Sequence, residues 1–389
     1  MKIYEIGTGY TEIPAKIGAA TEIVAYNLFL SFSKLTGVSS EIVDITFDKK
    51  ADPKKNFNLV FIPEKYKTVD DKGVIHVVRR LLYSWKLAFT LTKLVKQSNT
   101  ETILHFHNQF NFFFFYILNK RMLRSRNVRT AFTVHSSSWS FAGKVPRNLL
   151  LEKYAIKKSN KVIAITKAIK ENILINERSA GKVFAAKISC IHNGVNTETY
   201  KPLEGIQKKN RFINIGSVCD RKDQLGTIVL LADFLKEHNY EFVFAGKIID
   251  GQYLKKIEDY VEANGLSAHV RFLGEIEPGA SLNQAYNESK AYISTSKKEA
   301  GLSLVVLESL SAGLTVFLSR SFDVSLADFS DLPDTIRSIE RETFNDDLVA
   351  LSETDNKKLV DLGKTSRAFV EGHLSWDAIA QQHHQAFRT

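Results

Sequence analysis

The sequence predicts an α/β protein built from two doubly wound, Rossmann-like domains. Short apolar runs alternate with amphipathic stretches along nearly the whole chain, a pattern typical of a parallel sheet with helices on both faces. The alternation restarts after a polar, basic stretch at 202–210. The length of 389 residues also exceeds what one core of about 100–200 residues fills. We therefore expect a linker at 202–210, with one domain over 1–202 and a second over 203–370.

Both halves contain strand candidates separated by helical patterns. In the first half the strand candidates are 2–6, 41–44, 59–61, 103–107, 130–134, 161–164 and 187–192, with helical patterns at 20–35, 77–97 and 149–158. In the second half they are 212–215, 241–245, 270–273, 291–294 and 315–318, with a helical pattern at 253–263 that ends at Asn264-Gly265. Open α/β sheets bind ligands beyond the carboxyl ends of their strands, so we expect the two domains to meet across a cleft.

Composition restricts the class of protein and its partners. Cys190 and Cys219 stand in no metal-ligand or redox spacing, which excludes a disulfide framework and favours a reducing cytosol. Lys and Arg total 53 against 43 Asp and Glu, a net charge of +10 that favours an anionic partner. The most apolar run, 112–118, is much shorter than the about 20 residues of a spanning helix, and the first residues predict a strand, with no signal-peptide pattern. We expect a cytoplasmic protein that touches a membrane without crossing it.

Two glycine-containing segments follow the first predicted strand. Gly7-Thr8-Gly9 begins like a dinucleotide-binding fingerprint, but the third glycine position falls on Glu12, which disfavours an NAD-dependent dehydrogenase. Gly18 precedes two alanines at the start of a helix, where backbone N–H groups can approach a phosphate. Taken alone, this second segment is more readily explained as a plain tight turn.

One histidine stands at the sheet edge where a doubly wound domain carries its functional side chains. His135 follows the apolar strand predicted at 130–134. A lone histidine is more often structural than functional, so this position alone does not assign it a role. We interpret His105 and His107, at the end of the preceding strand, as structural.

Candidate anion-binding groups in the second half follow two predicted strands. The strand at 212–215 runs into Gly216, and Arg221 and Lys222 come shortly after it. Cations at that edge could hold a diphosphate, although a solvated turn explains them equally well.

The stretch 294–313 is the most specific segment in the chain. Polar residues end a strand, a turn containing Gly301 follows, and an amphipathic helix then carries Glu308. The backbone N–H groups of Leu302, Ser303 and Leu304 would point at an anion, and Glu308 could accept two hydroxyl donors such as those of a ribose. A surface acid is the alternative interpretation of Glu308, and the surrounding pattern disfavours it.

In their order and spacing these segments resemble the retaining glycosyltransferases of the GT4 family, glycosyl transferases group 1, which have the GT-B fold. The resemblance covers almost the entire chain. It rests on the loop before Thr21-Glu22, the strand ending at His135, and the segments 152–166, 192–196, 216–222, 270–274 and 294–308. The closing segment at Ser375-Trp376 resembles the family's last helix, which implies a C-terminal helix over 371–389 that returns to the first domain.

The resemblance implies a role for each matched position. Gly18 would let the donor diphosphate approach the first domain, and His135 would lie beside the transferred sugar. Near Gly216, Lys222 and Arg221 would neutralise the departing diphosphate. The other donor-binding positions would contact the base through the backbone of Leu273 and Gly274, the phosphate through Leu302, Ser303 and Leu304, and the ribose hydroxyls through Glu308.

The sequence departs from the family pattern at two positions. The family pairs two glutamates with seven residues between them, and counting back from Glu308 gives Ala300, with Glu299 one place earlier. The arginine that often follows the second domain's glycine is Ser217 here. We assign Glu299, with His135 and Lys222, to catalysis. The displaced carboxylate leaves open an alternative, a non-catalytic relative that binds a glycan or a partner enzyme.

The expected reaction needs neither a metal nor another cofactor. Breaking a sugar–diphosphate bond leaves negative charge on the diphosphate, which must be stabilised as it develops. No Asp-x-Asp triplet that could hold a metal occurs in the chain. We expect transfer of a hexosyl group from a nucleotide-sugar to a glycan or lipid-linked glycan, with the retention that the resemblance implies, in polysaccharide biosynthesis. Nucleic-acid binding would explain the charge, but no aromatic-basic motif supports it.

A basic, acid-free segment favours an anionic membrane surface as a partner. From Lys72 to Thr100 the chain has no acidic residue. The basic residues of this segment after Lys72 are Arg79, Arg80, Lys86, Lys93 and Lys96, and its apolar bulk includes Leu81, Leu82, Trp85, Phe89 and Leu94. Basic residues beside an apolar face are typical of an interfacial helix. The alternative is that the apolar residues pack against the sheet while the cations are solvated.

Overall fold

The computed structural model describes residues 1–15, 19–67, 73–124, 127–135, 139, 149–177 and 181–389. The chain divides into two compact units, each containing one parallel sheet. Unit 1 comprises Met1–Ala15, Ala19–His192 and Trp376–Thr389, and unit 2 comprises Asn193–Ser375. Each unit has the doubly wound α/β arrangement of parallel strands and helices that the sequence predicts.

Unit 1 contains a seven-stranded parallel sheet in the order β3-β2-β1-β4-β5-β6-β7. Its strands are β1 (Lys2–Ile6), β2 (Ser39–Thr46), β3 (Phe57–Phe61), β4 (Thr102–Phe106), β5 (Val128–Val134), β6 (Lys161–Ala164) and β7 (Ile188–Cys190). Its described helices are α1 (Ala20–Phe32), α2 (Val74–Gln97), α3 (Gln109–Asn119), α4 (Leu150–Lys158), α5 (Lys167–Asn176), α6 (Gly181–Ala186) and α14 (Trp376–Arg388).

Helices cover both faces of this sheet, which explains why its central strands are apolar runs. On β4, the ring of Phe106 lies 5.4 Å from that of Phe112 on α3, whereas the neighbouring His105 ring lies 5.3 Å from Phe387 on α14. Successive residues of a strand point to opposite faces, so α3 and α14 pack on opposite sides.

Unit 2 contains a six-stranded parallel sheet in the order β10-β9-β8-β11-β12-β13. Its strands are β8 (Arg211–Ile215), β9 (Glu241–Ala245), β10 (Val270–Phe272), β11 (Ala291–Ser294), β12 (Thr315–Leu318) and β13 (Ile336–Ser338). Its helices are α7 (Gln224–Glu237), α8 (Gly251–Ala263), α9 (Ala280–Asn287), α10 (Leu304–Ser311), α11 (Asp323–Leu326), α12 (Phe344–Ser352) and α13 (Asn356–His373).

Each sheet has one point where the strand order reverses. In unit 1 it lies between β1 and β4, and in unit 2 between β8 and β11. At such a point the connections leave to opposite faces, which opens a crevice at the carboxyl ends of the two strands. The segments that follow β1, β4, β8 and β11 are therefore where ligand-binding groups are expected.

The predicted strands are all present, with bounds within two residues of the expected ones. Strand β13 was not predicted, because Ile336-Arg337-Ser338 holds a single apolar residue and pairs only with β12. The stretch 202–210, where we expected the linker, lies inside unit 2. There the backbone N–H of Leu203 donates to Asn287 Oδ1 at 2.8 Å.

Candidate active site

Two backbone loops approach each other closely beside the unit 2 reversal point. Gly216 follows β8 and Gly246 follows β9, and the Gly216 N–H donates to the carbonyl oxygen of Ala245 at 2.9 Å. Gly246 has a φ of +146°, and a Cβ built on it would lie 2.1 Å from the Gly216 carbonyl oxygen. A side chain at Gly246 would therefore displace the loop after β8.

An ion pair joins the segments that follow β8 and β11. Lys222 ends a 3₁₀ turn at Asp220–Lys222, and its Nζ lies 2.6 Å from Glu299 Oε1. Arg221 Nη1 lies 3.5 Å from the same oxygen. The side chains of Lys222 and Glu299 are 15% and 8% exposed, whereas that of Arg221 is 50% exposed. The structure thus brings together Arg221, Lys222 and Glu299, with one carboxylate facing two cations.

Local hydrogen bonds hold the Glu299 carboxylate in place. The Ser296 hydroxyl donates to Glu299 Oε1 at 2.6 Å, and the Lys297 backbone N–H donates to the Arg221 carbonyl oxygen at 2.9 Å. Ser319 donates to the Ser296 carbonyl oxygen at 2.7 Å from the end of β12. Three adjacent strand ends therefore fix the position of this one carboxylate.

Glu308 lies on α10 and is buried, so it is not a surface acid. The Tyr286 hydroxyl donates to Glu308 Oε2 at 3.1 Å. Burial raises the pKa of the Glu308 carboxyl to about 7, even though hydrogen bonds from Tyr286 and Tyr200 lower it. Its side chain therefore changes charge near neutral pH.

The remaining donor-binding candidates of unit 2 also lie at or beside the ends of strands. Leu302 is buried, and Ser303 and Leu304 are half-buried at the start of α10. Leu273 follows β10 and donates its N–H to the Phe244 carbonyl oxygen at 2.9 Å. Gly274 accepts from the Gly246 N–H at 2.9 Å, has a φ of +71°, and has open space where a Cβ would stand.

In unit 1, His135 is one end of a chain of hydrogen-bonded side chains. His135 Nε2 lies 3.0 Å from His107 Nδ1, and His107 Nε2 lies 2.7 Å from Glu5 Oε2. The second carboxylate oxygen of Glu5 lies 2.8 Å from His105 Nδ1. Glu5, which the sequence analysis did not single out, and His107, which it interpreted as structural, therefore join His135 in one hydrogen-bonded chain, and His105 contacts the other oxygen of Glu5. Gly18, the remaining candidate, lies outside the described residues.

Glu5 carries the charge in the chain of contacts that runs from it through His107 to His135. Burial would raise the pKa of Glu5, but the contacts with His105 and His107 lower it to about 2. Burial lowers the pKa of His107, and lowers that of His135 well below its usual value. At neutral pH Glu5 is ionised while His107 and His135 are neutral. Glu5, His105 and His107 also place ligand atoms within 4.8 Å of one another, as a metal site would require, but hydrogen bonds engage those atoms.

The chain is similar in fold to solved structures of other proteins. Sucrose-phosphate synthase from Thermosynechococcus elongatus is 17% identical, with a TM-score of 0.73 over 100% of this chain and 98% of that one. The catalytic domain of starch synthase IV from Arabidopsis thaliana, bound to ADP and acarbose, is 16% identical, with a TM-score of 0.74 over 100% and 98%. HepE from Anabaena, in complex with UDP and glucose, is 13% identical, with a TM-score of 0.67 over 100% and 99%.

Family models match adjoining parts of the chain. Residues 52–199 match the model described as Glycosyltransferase Family 4, and residues 196–324 match that described as Glycosyl transferases group 1. No curated protein sequence matches the chain. The two models together span 52–324, which includes the candidate residues His135, Lys222, Glu299 and Glu308. The chain belongs to the group 1 glycosyltransferases, of the GT4 type, with the GT-B fold.

Proposed function

We propose that this chain is a retaining, metal-independent glycosyltransferase that moves a hexosyl group from a nucleoside diphosphate sugar to a glycan or lipid-linked glycan. The observation that carries the proposal is the cluster of Arg221, Lys222 and Glu299 at the reversal point of the unit 2 sheet. Within this cluster two cations face one carboxylate, at the carboxyl ends of strands, where this fold binds ligands.

The cations supply what the departing diphosphate requires. Negative charge develops on the diphosphate as the glycosidic bond breaks, and charge-assisted hydrogen bonds from Lys and Arg stabilise it without a metal. Structures of the similar proteins hold ADP or UDP, which supports a nucleoside diphosphate as the ligand of unit 2.

The other candidates supply contacts to the rest of the donor. The backbone of Leu273 and Gly274 would contact the base, and Glu308 would accept the ribose hydroxyls. Gly216, Gly18 and the N–H groups of Leu302, Ser303 and Leu304 would let the diphosphate approach the backbone. His135 would contact the transferred sugar, and Glu299 would lie beside the reacting centre. Retention is what the family resemblance implies.

The proposal is tested by ligand binding followed by turnover. A nucleotide-sugar that binds the native state raises the unfolding temperature, so UDP-, GDP-, ADP- and TDP-sugars are compared by thermal shift. The anomeric configuration of the product formed from the binding donor is then read by proton NMR. An inverted product would contradict retention, and binding without turnover of any acceptor would favour the non-catalytic alternative.

We further propose that unit 1 docks on an anionic membrane through α2 and α3. No helix among the described residues has the length and apolar character needed to span a membrane. Exposed apolar side chains instead follow one another three or four residues apart along α2, at Val74, Val77, Leu81, Trp85 and Phe89. Exposed lysines continue the same spacing at Lys93 and Lys96.

Not every basic residue of this segment is available to a membrane. Arg79 is buried, with its Nη2 3.0 Å from His76 Nδ1, and the Arg80 guanidinium lies 3.8 Å from the centre of the Phe110 ring. The exposed cations Lys93, Lys96, Lys120 and Arg121 remain. Each cation near anionic headgroups contributes about 1 kcal/mol, so these four suffice for reversible docking together with the apolar stripe. Docking would bring the enzyme to a lipid-linked acceptor.

Co-sedimentation with phosphatidylcholine vesicles, with and without phosphatidylglycerol, tests the docking. Binding should need the anionic lipid and weaken at high salt, and Lys93→Gln with Lys96→Gln should weaken it on the order of tenfold or more. The double change Trp85→Ser and Phe89→Ser should also reduce binding. Val360→Ser, an equally exposed position in unit 2, is the control and should leave binding unchanged. Equal recovery under all conditions, or no binding, would contradict the docking proposal.

A further inference from the structure

The hydrogen bonds between Glu5 and His135 determine which ring nitrogen carries each proton. Glu5 is a carboxylate, so both of its oxygens accept. His107 therefore donates from Nε2 to Glu5 Oε2 over 2.7 Å, and its Nδ1 is left without a proton. His135 lies 3.0 Å from that bare nitrogen and must donate to it from Nε2. A neutral His135 consequently carries no proton on Nδ1.

We propose that Glu5 and His107 are positioning residues that present His135 Nδ1 as a neutral hydrogen-bond acceptor for a hydroxyl group of the ligand. The inference rests on the proposed function, in which His135 contacts the transferred sugar, and it specifies that contact. The sugar hydroxyl donates and His135 accepts. Glu5 and His107 act only through His135.

The second oxygen of the Glu5 carboxylate, Oε1, contacts His105 and is not connected to His135 through His107. His105 donates from Nδ1 to Glu5 Oε1 over 2.8 Å, and its Nε2 lies 2.7 Å from the Thr133 hydroxyl. Glu5 Oε1, both ring nitrogens of His105 and the Thr133 hydroxyl therefore all have partners within unit 1. A change at Thr133 is a control, because it alters the His105 contact on the same carboxylate but leaves the His107–His135 contact intact.

The surroundings keep His135 neutral. The titratable groups that act on its pKa are three imidazoles, those of His107, His105 and His383, and one carboxylate, that of Glu5. His383 lies on α14, and its Nδ1 donates to the Ile379 carbonyl oxygen over 2.9 Å. A proton on His135 would add a buried positive charge with only Glu5, already shared by two imidazoles, to balance it. Binding of an anion by a cationic His135 is therefore disfavoured.

The role of His107 depends on its having two nitrogens with opposite functions. An asparagine carbonyl occupies a place close to that of Nδ1, and a glutamine amide a place close to that of Nε2. His107→Asn therefore keeps an acceptor for His135 but loses the contact with Glu5. His107→Gln keeps a donor for Glu5 but loses the acceptor for His135. The two variants differ in which contact survives, and His107→Asn also removes one methylene more than His107→Gln.

Nitrogen-15 NMR of the imidazole side chains in the full-length chain tests the proton assignment without any need for activity. We expect His107 and His135 to carry their protons on Nε2 and His105 on Nδ1. His107→Asn should leave His135 protonated on Nε2, His107→Gln should not, and Thr133→Val should change His105 while leaving His135 as it is. A His135 protonated on Nδ1 in the unchanged protein, or doubly protonated at neutral pH, would overturn the proposal.

Donor analogues test the direction of the hydrogen bond in turnover. At the sugar hydroxyl that His135 contacts, replacement by hydrogen and replacement by fluorine should both lower kcat/KM by about 3- to 10-fold, because neither substituent can donate. A fluoro analogue that keeps full activity where the deoxy analogue loses it would show His135 to be a donor, and would overturn the inference. If the protein turns over no nucleotide-sugar at all, the proposed function fails, whereas the NMR result still decides the proton positions.

Discussion

Lys222 and Glu299 form a partly buried ion pair, so removing one partner should lower both stability and turnover. Breaking a fully buried pair costs about 3–5 kcal/mol. After Lys222→Met, however, Ser296 and Arg221 still contact the carboxylate, and after Glu299→Gln an amide oxygen still faces the lysine. We therefore expect about 2–3 kcal/mol for each change, which lowers the unfolding temperature of a domain of this size by roughly 4–12 °C.

The double variant separates a structural role from a catalytic one. Lys222→Met combined with Glu299→Gln removes both charges, so it should cost about 1–2 kcal/mol less than the sum of the single changes. Turnover should fall by about 100-fold or more in each single variant and should not return in the double variant, since the departing diphosphate then lacks its nearest cation. Chemical unfolding and initial rates measure the two effects. Lys297→Met, a neighbouring lysine that is 49% exposed, is the matched control and should change stability by less than about 1 kcal/mol.

If turnover recovers together with stability in the double variant, the pair is structural and Lys222 does not stabilise the departing group. The same follows if the Lys297→Met control loses as much turnover as Lys222→Met, because general positive charge would then explain the effect.

Four further outcomes are expected. Turnover should survive EDTA, and loss on chelation that Mg²⁺ or Mn²⁺ restores would contradict metal independence. Gly246→Ala should weaken donor binding, since its Cβ would lie 2.1 Å from the Gly216 carbonyl oxygen, whereas Gly274→Ala has open space and should cost only about 1–2 kcal/mol of backbone strain. Donor affinity should rise with pH through about 7 as Glu308 ionises, and should be flat with pH in Glu308→Gln. Burial lowers the pKa of His383 to about 3, so acid favours the unfolded state and the free energy of unfolding should fall from pH 6.5 downward. By pH 4.5 this loss should reach about 3 kcal/mol relative to His383→Gln.

Central strands could be predicted from the sequence because their environment is uniform. Strands such as β1, β8 and β11 are buried, so most of their residues are apolar and the run stands out from its neighbours. Strand β13 has no such run, because it lies at the sheet edge and its three residues are half-buried. The stretch 202–210 was expected to be a linker because it is polar. Its backbone and polar side chains instead form hydrogen bonds with α9 and the turn after it.

Positions in the site could be predicted, but their contacts could not. Arg221, Lys222 and Glu299 follow strands and stand in a recognisable order, yet the ion pair joins residues 77 positions apart. Glu5 gave a local signal, as an acid inside an apolar strand, and so did the His-x-His pattern at 105–107. The contact between these residues depends on the parallel register of β1 and β4, which sets Glu5 beside His105. Local sequence patterns do not specify that register.

The polar groups at the two reversal points differ in charge, and the difference corresponds to two parts of a nucleotide-sugar. At the unit 2 point, Arg221 and Lys222 outweigh Glu299 and favour a diphosphate. At the unit 1 point, the proton positions that we propose leave Nδ1 of His135 as a neutral acceptor, which suits a hydroxyl and not an anion. A diphosphate at the unit 1 point would gain no cationic contact from that neutral nitrogen. A sugar hydroxyl at the unit 2 point would gain little from Arg221 and Lys222, because it carries no charge. Under the proposed function, charge recognition would therefore belong to one sheet and hydroxyl recognition to the other, although both sheets have the same doubly wound topology.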